Sequence, residues 1–331
     1  MIHVAELVRA RGARASLCVL RDGRTLLDID VGGPPDALFW IFSASKPFVA
    51  LLVHQLAASG VLDLNAPVAR YWPEFAGGGK GAVTIRQVLT HRSGFATARG
   101  FAGDALTMTD WPRAVRAIER APLRWPPGTV AAYQPIVYGH LLGELVRRLS
   151  GVPVATLLRS EVLAPLGLAD THLGLPASLW PRRVPVRGYG LGGPVTARMV
   201  NRRSVRRAVI PAAGISTTAR DLATFYQALL DGFASPAVTE ARRPSGDAVI
   251  DRTIGTRIRW AQGFQLGGAG RPMGTSSGRE TFGHNGSNCC IAWADPVRRV
   301  AFAYLTDRLV SGHSAAAHLG EVADAVLKTC D

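Results

Sequence analysis

From Ala37 to Leu62 the chain reads A-L-F-W-I-F-S-A-S-K-P-F-V-A-L-L-V-H-Q-L-A-A-S-G-V-L, an apolar stretch with a lysine, Lys46, near its middle. A helix that is apolar on every side belongs in a core. Lys46, Pro47 and His54 interrupt the stretch, which makes it a poor membrane span. Ser43 stands three residues before Lys46. On a helix starting near Ser43 the two side chains point the same way, one turn apart. The free N–H groups and the positive dipole end of that helix would lie beside them. Burial disfavours a charged lysine, so Lys46 could accept the proton of Ser43, as a serine acyl-enzyme requires. A bare S-x-x-K more often marks a capped helix beside a solvated lysine, and the apolar flanks argue against that reading.

A length of 331 residues suggests about two domains, and 47% hydrophobic content supplies a core. Ala15–Leu20 and Arg24–Val31 read as strands around Asp22-Gly23, a hairpin signal. A helix follows from about Ser43 to Ser59. The middle favours helices, among them Trp111–Arg120, Val137–Leu149 and Val152–Leu163, and the stretch Arg182–Arg207 reads as a long loop. Ser216–Asp221 caps a helix that runs to Leu230 and closes at Gly232. Strands then return at Trp260–Leu266, Cys289–Ala294 and Val300–Leu305, and a last helix covers His313–Lys328. The expected organisation is one domain of strands and helices from residues 1–60 and 206–331, with a mostly helical domain, 61–205, inserted between them.

Four cysteines, Cys18, Cys289, Cys290 and Cys330, show no zinc spacing and read as buried free thiols. The first fifteen residues hold Glu6 and several arginines where a signal peptide needs an unbroken apolar run. The expectation is a cytoplasmic protein without a membrane span. Net charge is +14, and eight arginines between Arg182 and Arg207 leave only about +6 for the rest. Such a segment suits a solvated surface or an acidic carrier protein. Nucleic acid is disfavoured, because aromatic interleaving and known binding motifs are absent.

Two further segments complete a pattern. W-P-P-G-T-V-A-A-Y-Q-P places Tyr133 just ahead of a helix, where a buried hydroxyl could relay a proton. F-G-H-N-G-S-N-C-C places His284, Asn285, Gly286 and Ser287 at the lip of a strand, where glycine permits close backbone approach. L-T-H-R-S-G around His91 reads as a packing loop, with His91 not catalytic.

S-A-S-K, Y-Q-P and H-N-G, in this order, together with P-G-T, L-A-P-L-G-L and I-P-A-A-G-I-S-T-T-A-R-D-L-A, resemble the serine β-lactamase and penicillin-binding-protein superfamily. The likeness is greatest to its class C-like esterase branch, the family VIII carboxylesterases, and covers residues 15–325. It implies an α+β, β-lactamase/transpeptidase-like fold with an antiparallel sheet flanked by helices. It also implies Ser43 as nucleophile, Lys46 and Tyr133 as the proton-handling pair, and an oxyanion hole from the N–H groups of Ser43 and Ser287. His284 would orient Tyr133 or the substrate, with Asn285 and Gly286 lining the same edge. The resemblance implies neither an organic cofactor nor a metal. Two departures stand out. Pro135 replaces the asparagine of Y-x-N, and Ser287-Asn288-Cys289 replaces the small residues that often follow H-x-G. Both argue against penicillin hydrolysis. The expected activity is a serine hydrolase cleaving a small-molecule ester, or less readily an amide. An acyltransferase using the same acyl-Ser43 and a silent ligand-binding relative stand as the alternatives.

Overall fold

The Asp22-Gly23 turn forms as the sequence predicts, with both residues at positive φ, 49° and 74°. It joins β1 (Ala15–Arg21) to β2 (Arg24–Val31) in a tight antiparallel hairpin. The computed structural model describes residues 1–268, 273–310 and 313–331, without the side chains of 313–316. Further along come β3 (Phe39–Trp40), β4 (His172–Leu173), β5 (Arg187–Tyr189) and β6 (Ile215–Thr217). After these follow β7 (Val249–Ile250), β8 (Arg257–Trp260), β9 (Gln265–Leu266), β10 (Phe282–Gly286), β11 (Cys290–Asp295), β12 (Val300–Thr306) and β13 (Arg308–Val310).

Both ends of the chain build the main sheet. Its eight strands lie in the order β2-β1-β12-β11-β10-β9-β8-β7, and each neighbouring pair is antiparallel. β12 is buried along its whole length, which accounts for its unbroken V-A-F-A-Y-L sequence. Its residues still alternate by face. Val300, Phe302 and Tyr304 join a cluster with the helices Ile2–Ala10 and His313–Thr329. Ala301, Ala303 and Leu305 face the helices Ala219–Leu230 and Lys46–Ala58. The alanines let these helices approach closely.

Lys46–Ala58 is the central helix, and its first nine residues, Lys46 to His54, are all buried. Phe48 stacks on Phe225 with ring centroids 4.1 Å apart, coupling it to Ala219–Leu230. On another side it meets Val137–Ser150, the long helix of the middle region. That helix in turn presses on the 210–214 segment. A Cβ added to Gly139 would lie 2.1 Å from the Ala212 nitrogen. Among the described residues no helix is long and apolar enough to cross a membrane.

Several expectations change in detail. H-N-G lies inside strand β10 rather than at its lip. Trp260–Leu266 is two strands folded back at Gly263, φ +116°, where a Cβ would strike Ala50. Ile2–Ala10, too short and weakly patterned to read beforehand, is a helix. Arg182–Arg207 is not a long loop, because it holds β5 and the helices Gly193–Val200 and Arg203–Arg207. Part of its charge is used internally. Arg182 pairs with Asp36 and Asp170, Arg187 with Asp307, and buried Arg206 donates to the carbonyls of Val184 and Val200. All four cysteines are free and buried.

Gly139→Ala is expected to overpack the contact with Ala212 and cost about 1–3 kcal/mol, read as a lower denaturation midpoint in urea. An unchanged midpoint would show that the helix can shift away without loss.

Candidate active site

Ser43 lies in a short 3-10 turn, Phe42–Ser45, that feeds directly into the helix starting at Lys46. Phe42 is held at φ +46°, a conformation that bulky residues avoid. Its ring is buried and packs edge-on to Trp40 at 6.3 Å. The strain, of roughly 1–3 kcal/mol, sets the direction of the backbone just before Ser43. Ser45, the second hydroxyl of the motif, faces away and accepts the Ile215 N–H at 3.2 Å, so it is structural.

Lys46 is fully buried. Its Nζ lies 2.9 Å from the Pro135 carbonyl oxygen, 3.2 Å from that of Ala212 and 3.1 Å from Ser43 Oγ. Burial pushes its pKa well below the ordinary lysine value, favouring the neutral amine. A neutral amine has two N–H donors and one lone pair. Two carbonyls can only accept, so they take both N–H groups and leave the lone pair for the Ser43 hydroxyl. Tyr133 donates its O–H to Ser43 Oγ at 2.5 Å. On a neutral Lys46 the Ser43 hydroxyl would accept from Tyr133 and donate to the amine. Burial also raises the Tyr133 pKa, against only a partial lowering by the Ser43 bond. Both shifts favour the uncharged forms, amine and phenol.

The strand β10 closes the other side. A Cβ on Gly286 would lie 2.0 Å from the Ile41 carbonyl oxygen, so only glycine lets β10 reach the turn carrying Ser43. The Cys290 thiol donates to the same oxygen at 3.1 Å. Beyond Gly286, Ser287 and Asn288 both have positive φ, 45° and 57°, in a turn closed by Cys289 N–H donating to Gly286 O at 2.8 Å. The N–H groups of Ser43 and Ser287 have no acceptor among the described residues. Asn285 donates its N–H to Gln265 Oε1 and its side-chain amide to Asn288 Oδ1, so it braces the turn.

His284 forms no hydrogen bond with Tyr133 among the described residues, and their ring centroids lie 6.2 Å apart. Its Nδ1 pairs with the Asn285 carbonyl at 2.7 Å, while buried Nε2 has no partner. Burial first, and then nearby Lys46, lower its pKa to about 3, so the ring is neutral. With Nδ1 donating, Nε2 is a lone-pair acceptor. His91 packs its ring 4.9 Å from Tyr133 and 4.4 Å from Trp260, with its pKa held well below normal by burial. It is part of the wall behind Tyr133.

Two residues here carried no signal in the sequence. Trp260 stacks parallel to Tyr133, centroids 5.5 Å apart and planes 4° apart. Asp251, fully buried, accepts the Tyr133 N–H at 3.0 Å and Trp260 Nε1–H at 3.2 Å. Both lie more than a hundred positions from Tyr133, and neither belongs to a motif. A cavity of about 610 Å³ lies elsewhere, lined by His54, Leu62, Arg70, Tyr71 and Glu240 at the far end of the central helix.

Residues 4–327 match the protein family described as Beta-lactamase. A relative, the esterase/beta-lactamase LipL of Mycobacterium tuberculosis, is 30% identical over 93% of this chain and 80% of its own length. The crystal structure of a family VIII carboxylesterase superposes with a TM-score of 0.85 at 28% identity, covering 100% of this chain and 97% of the other. EstA from Arthrobacter nitroguajacolicus superposes at 0.84 with 25% identity, over 99% and 96%.

If neutral Lys46 is what activates Ser43, kcat/KM should rise with pH as Lys46 loses its proton, at a pH well below the ordinary lysine range. Lys46→Arg, which cannot give up its proton near neutrality, should abolish this limb together with turnover. A rising limb at the ordinary lysine position would contradict the assignment.

Proposed function

This chain belongs to the beta-lactamase family and is a serine ester hydrolase, and from that premise we propose that it cleaves small neutral esters through an acyl-Ser43 intermediate. The observation that carries this reading is the contact of Ser43 Oγ with both Tyr133 and Lys46, whose amine is also held by the Pro135 and Ala212 carbonyls. Ser43 Oγ attacks the ester carbonyl carbon as its proton passes to the Lys46 lone pair. The oxygen that becomes negative is received by the N–H groups of Ser43 and Ser287, both lacking a described partner. When the C–O bond breaks, Tyr133 gives its proton to the leaving alkoxide and regains one from the Lys46 ammonium. Water then attacks the acyl carbon and its proton returns through the same pair, leaving acid, alcohol and the starting enzyme.

The substrate class follows from what surrounds Ser43. Lys46 is neutral and internally bonded, and His91 and His284 are neutral as well. None of these offers a cation to a carboxylate such as a penicillin carries. Pro135, at the position where the resemblance places an asparagine, has no side-chain amide and gives only its carbonyl, which Lys46 already occupies. An ester without a flanking amide or acid suits this environment. His284 Nε2 is an acceptor available to a substrate O–H.

Ser43→Ala is expected to remove hydrolysis of a short-chain p-nitrophenyl ester and labelling by a fluorophosphonate, with intact mass locating one adduct on the wild-type serine. Retained turnover or labelling would overturn the nucleophile. A penicillin should acylate far more slowly than the ester. Adding alcohols to the assay reads whether water alone accepts the acyl group.

A further inference from the structure

We propose that Asp251 is a positioning residue for ester hydrolysis: one carboxylate oxygen holds the Tyr133 backbone and the other holds, through Trp260, the face of the Tyr133 ring. This inference rests on the reading that Tyr133 handles the proton of Ser43. Asp251 Oδ1 accepts the N–H groups of Tyr133, Thr253 and Ile254 at 3.0, 2.9 and 3.2 Å, and Oδ2 accepts Trp260 Nε1–H at 3.2 Å. The first bond fixes where the Tyr133 backbone enters the site. The fourth fixes Trp260, which lies flat on the Tyr133 ring. A neighbouring backbone bond, Arg252 N–H to the Ala131 carbonyl at 2.9 Å, ties the same two loops. The Tyr133 hydroxyl meets Ser43 Oγ at 2.5 Å, a separation with little tolerance for drift. The arrangement has no slack, because backbone and ring are gripped by one carboxylate on a different element of the fold.

The carboxylate also has an electrical effect. The groups facing Tyr133 are Lys46 from the central helix, 4.7 Å from the ring, His91 after the helix Ile85–Leu89, Tyr138 on Val137–Ser150 and His284 on β10. The two histidines are neutral, and Tyr138 is kept protonated by burial. Burial is the larger cause that keeps Tyr133 protonated, and the nearby Asp251 adds to it by opposing a phenolate. A merely structural carboxylate would not set a titration.

The test is a double-mutant cycle of Asp251→Asn with Tyr133→Phe on a short-chain p-nitrophenyl ester, with pH profiles and thermal midpoints recorded. Asp251→Asn alone is expected to lower kcat by about 10²-fold with KM little changed, as for a misplaced reacting group. The alkaline limb set by Tyr133 should move to lower pH. In the Tyr133→Phe background the same substitution should change the residual rate by less than about twofold, since positioning acts only through the phenol. An equal loss in both backgrounds, or an unmoved alkaline limb, overturns the proposal in favour of a general structural role. Loss in Tyr133→Phe with none in Asp251→Asn overturns it alone. Wild-type turnover in Tyr133→Phe overturns the role of Tyr133 itself and the inference with it. Trp260→Phe keeps the stacked ring but removes the N–H. It carries the kcat cycle, with the same outcomes for the rates, if Asp251→Asn does not fold, and because it keeps the Asp251 carboxylate its alkaline limb should not move to lower pH.

Discussion

The site depends on the two carbonyl oxygens, of Pro135 and Ala212, that hold the Lys46 amine inside the protein. They come from segments separated from Lys46 by 89 and 166 residues, so the amine forms only when three distant parts of the chain meet. Each contact with that nitrogen is also a contact between regions. The helix Val137–Ser150 pushes Ala212 into place through the gap left at Gly139. The Pro135 carbonyl arrives on the same loop as Tyr133. Folding and activation of Ser43 are therefore one event.

A second buried lysine in this chain makes a contrast with Lys46. Lys80 donates to the carbonyls of Gly77, Glu119 and Ala121. Three acceptors match the three N–H groups of an ammonium, and although desolvation lowers its pKa, it does so only to about 8. Lys80 is a tie between loops. Lys46 has two carbonyls and a hydroxyl, and its pKa is driven well below the ordinary value. The same side chain is a cross-link in one setting and, in the proposed mechanism, a base in the other. Desolvation lowers both, and at Lys80 the Glu119 carboxylate opposes it.

The sequence announces the parts of this arrangement that are local. S-A-S-K is legible because serine and lysine one turn apart within an apolar run leave few other readings. The Asp22-Gly23 hairpin and the Thr218 cap of Ala219–Leu230 follow from single residues with strong backbone preferences. Gly286 is legible as a position of close approach, although not that its neighbour would be the Ile41 carbonyl. Asp251 and Trp260 are not legible. An aspartate after V-I and a tryptophan ending R-I-R-W look like ordinary strand ends until the sheet folds them against the Tyr133 loop. The direction of the Tyr133 proton was also hidden, because it depends on whether Lys46 is charged, and hence on how dry the assembled site is. The small elements within Arg182–Arg207 escaped because tertiary partners, chiefly Asp36, Asp170 and Asp307, hold a segment whose own pattern is weak.

Backbone strain gathers where the N–H groups of Ser43 and Ser287 are presented. Phe42 precedes one, while Ser287 and Asn288 take left-handed conformations at the other. Chains avoid such conformations unless surrounding contacts impose them. Here Trp40 packs Phe42, the Cys289 N–H closes the turn, and the Cys290 thiol pins β10 to Ile41. The two N–H groups have no acceptor among the described residues, and these contacts hold the backbone away from the relaxed turns that would satisfy them. An oxyanion forming between them would meet donors whose orientation cost was met during folding rather than during reaction. The intrusion of Ser287-Asn288-Cys289 after H-N-G then has a structural use. Asn288 accepts from Asn285, and Cys289 completes the turn, so side chains that narrow the edge of the site also lock the donor in place.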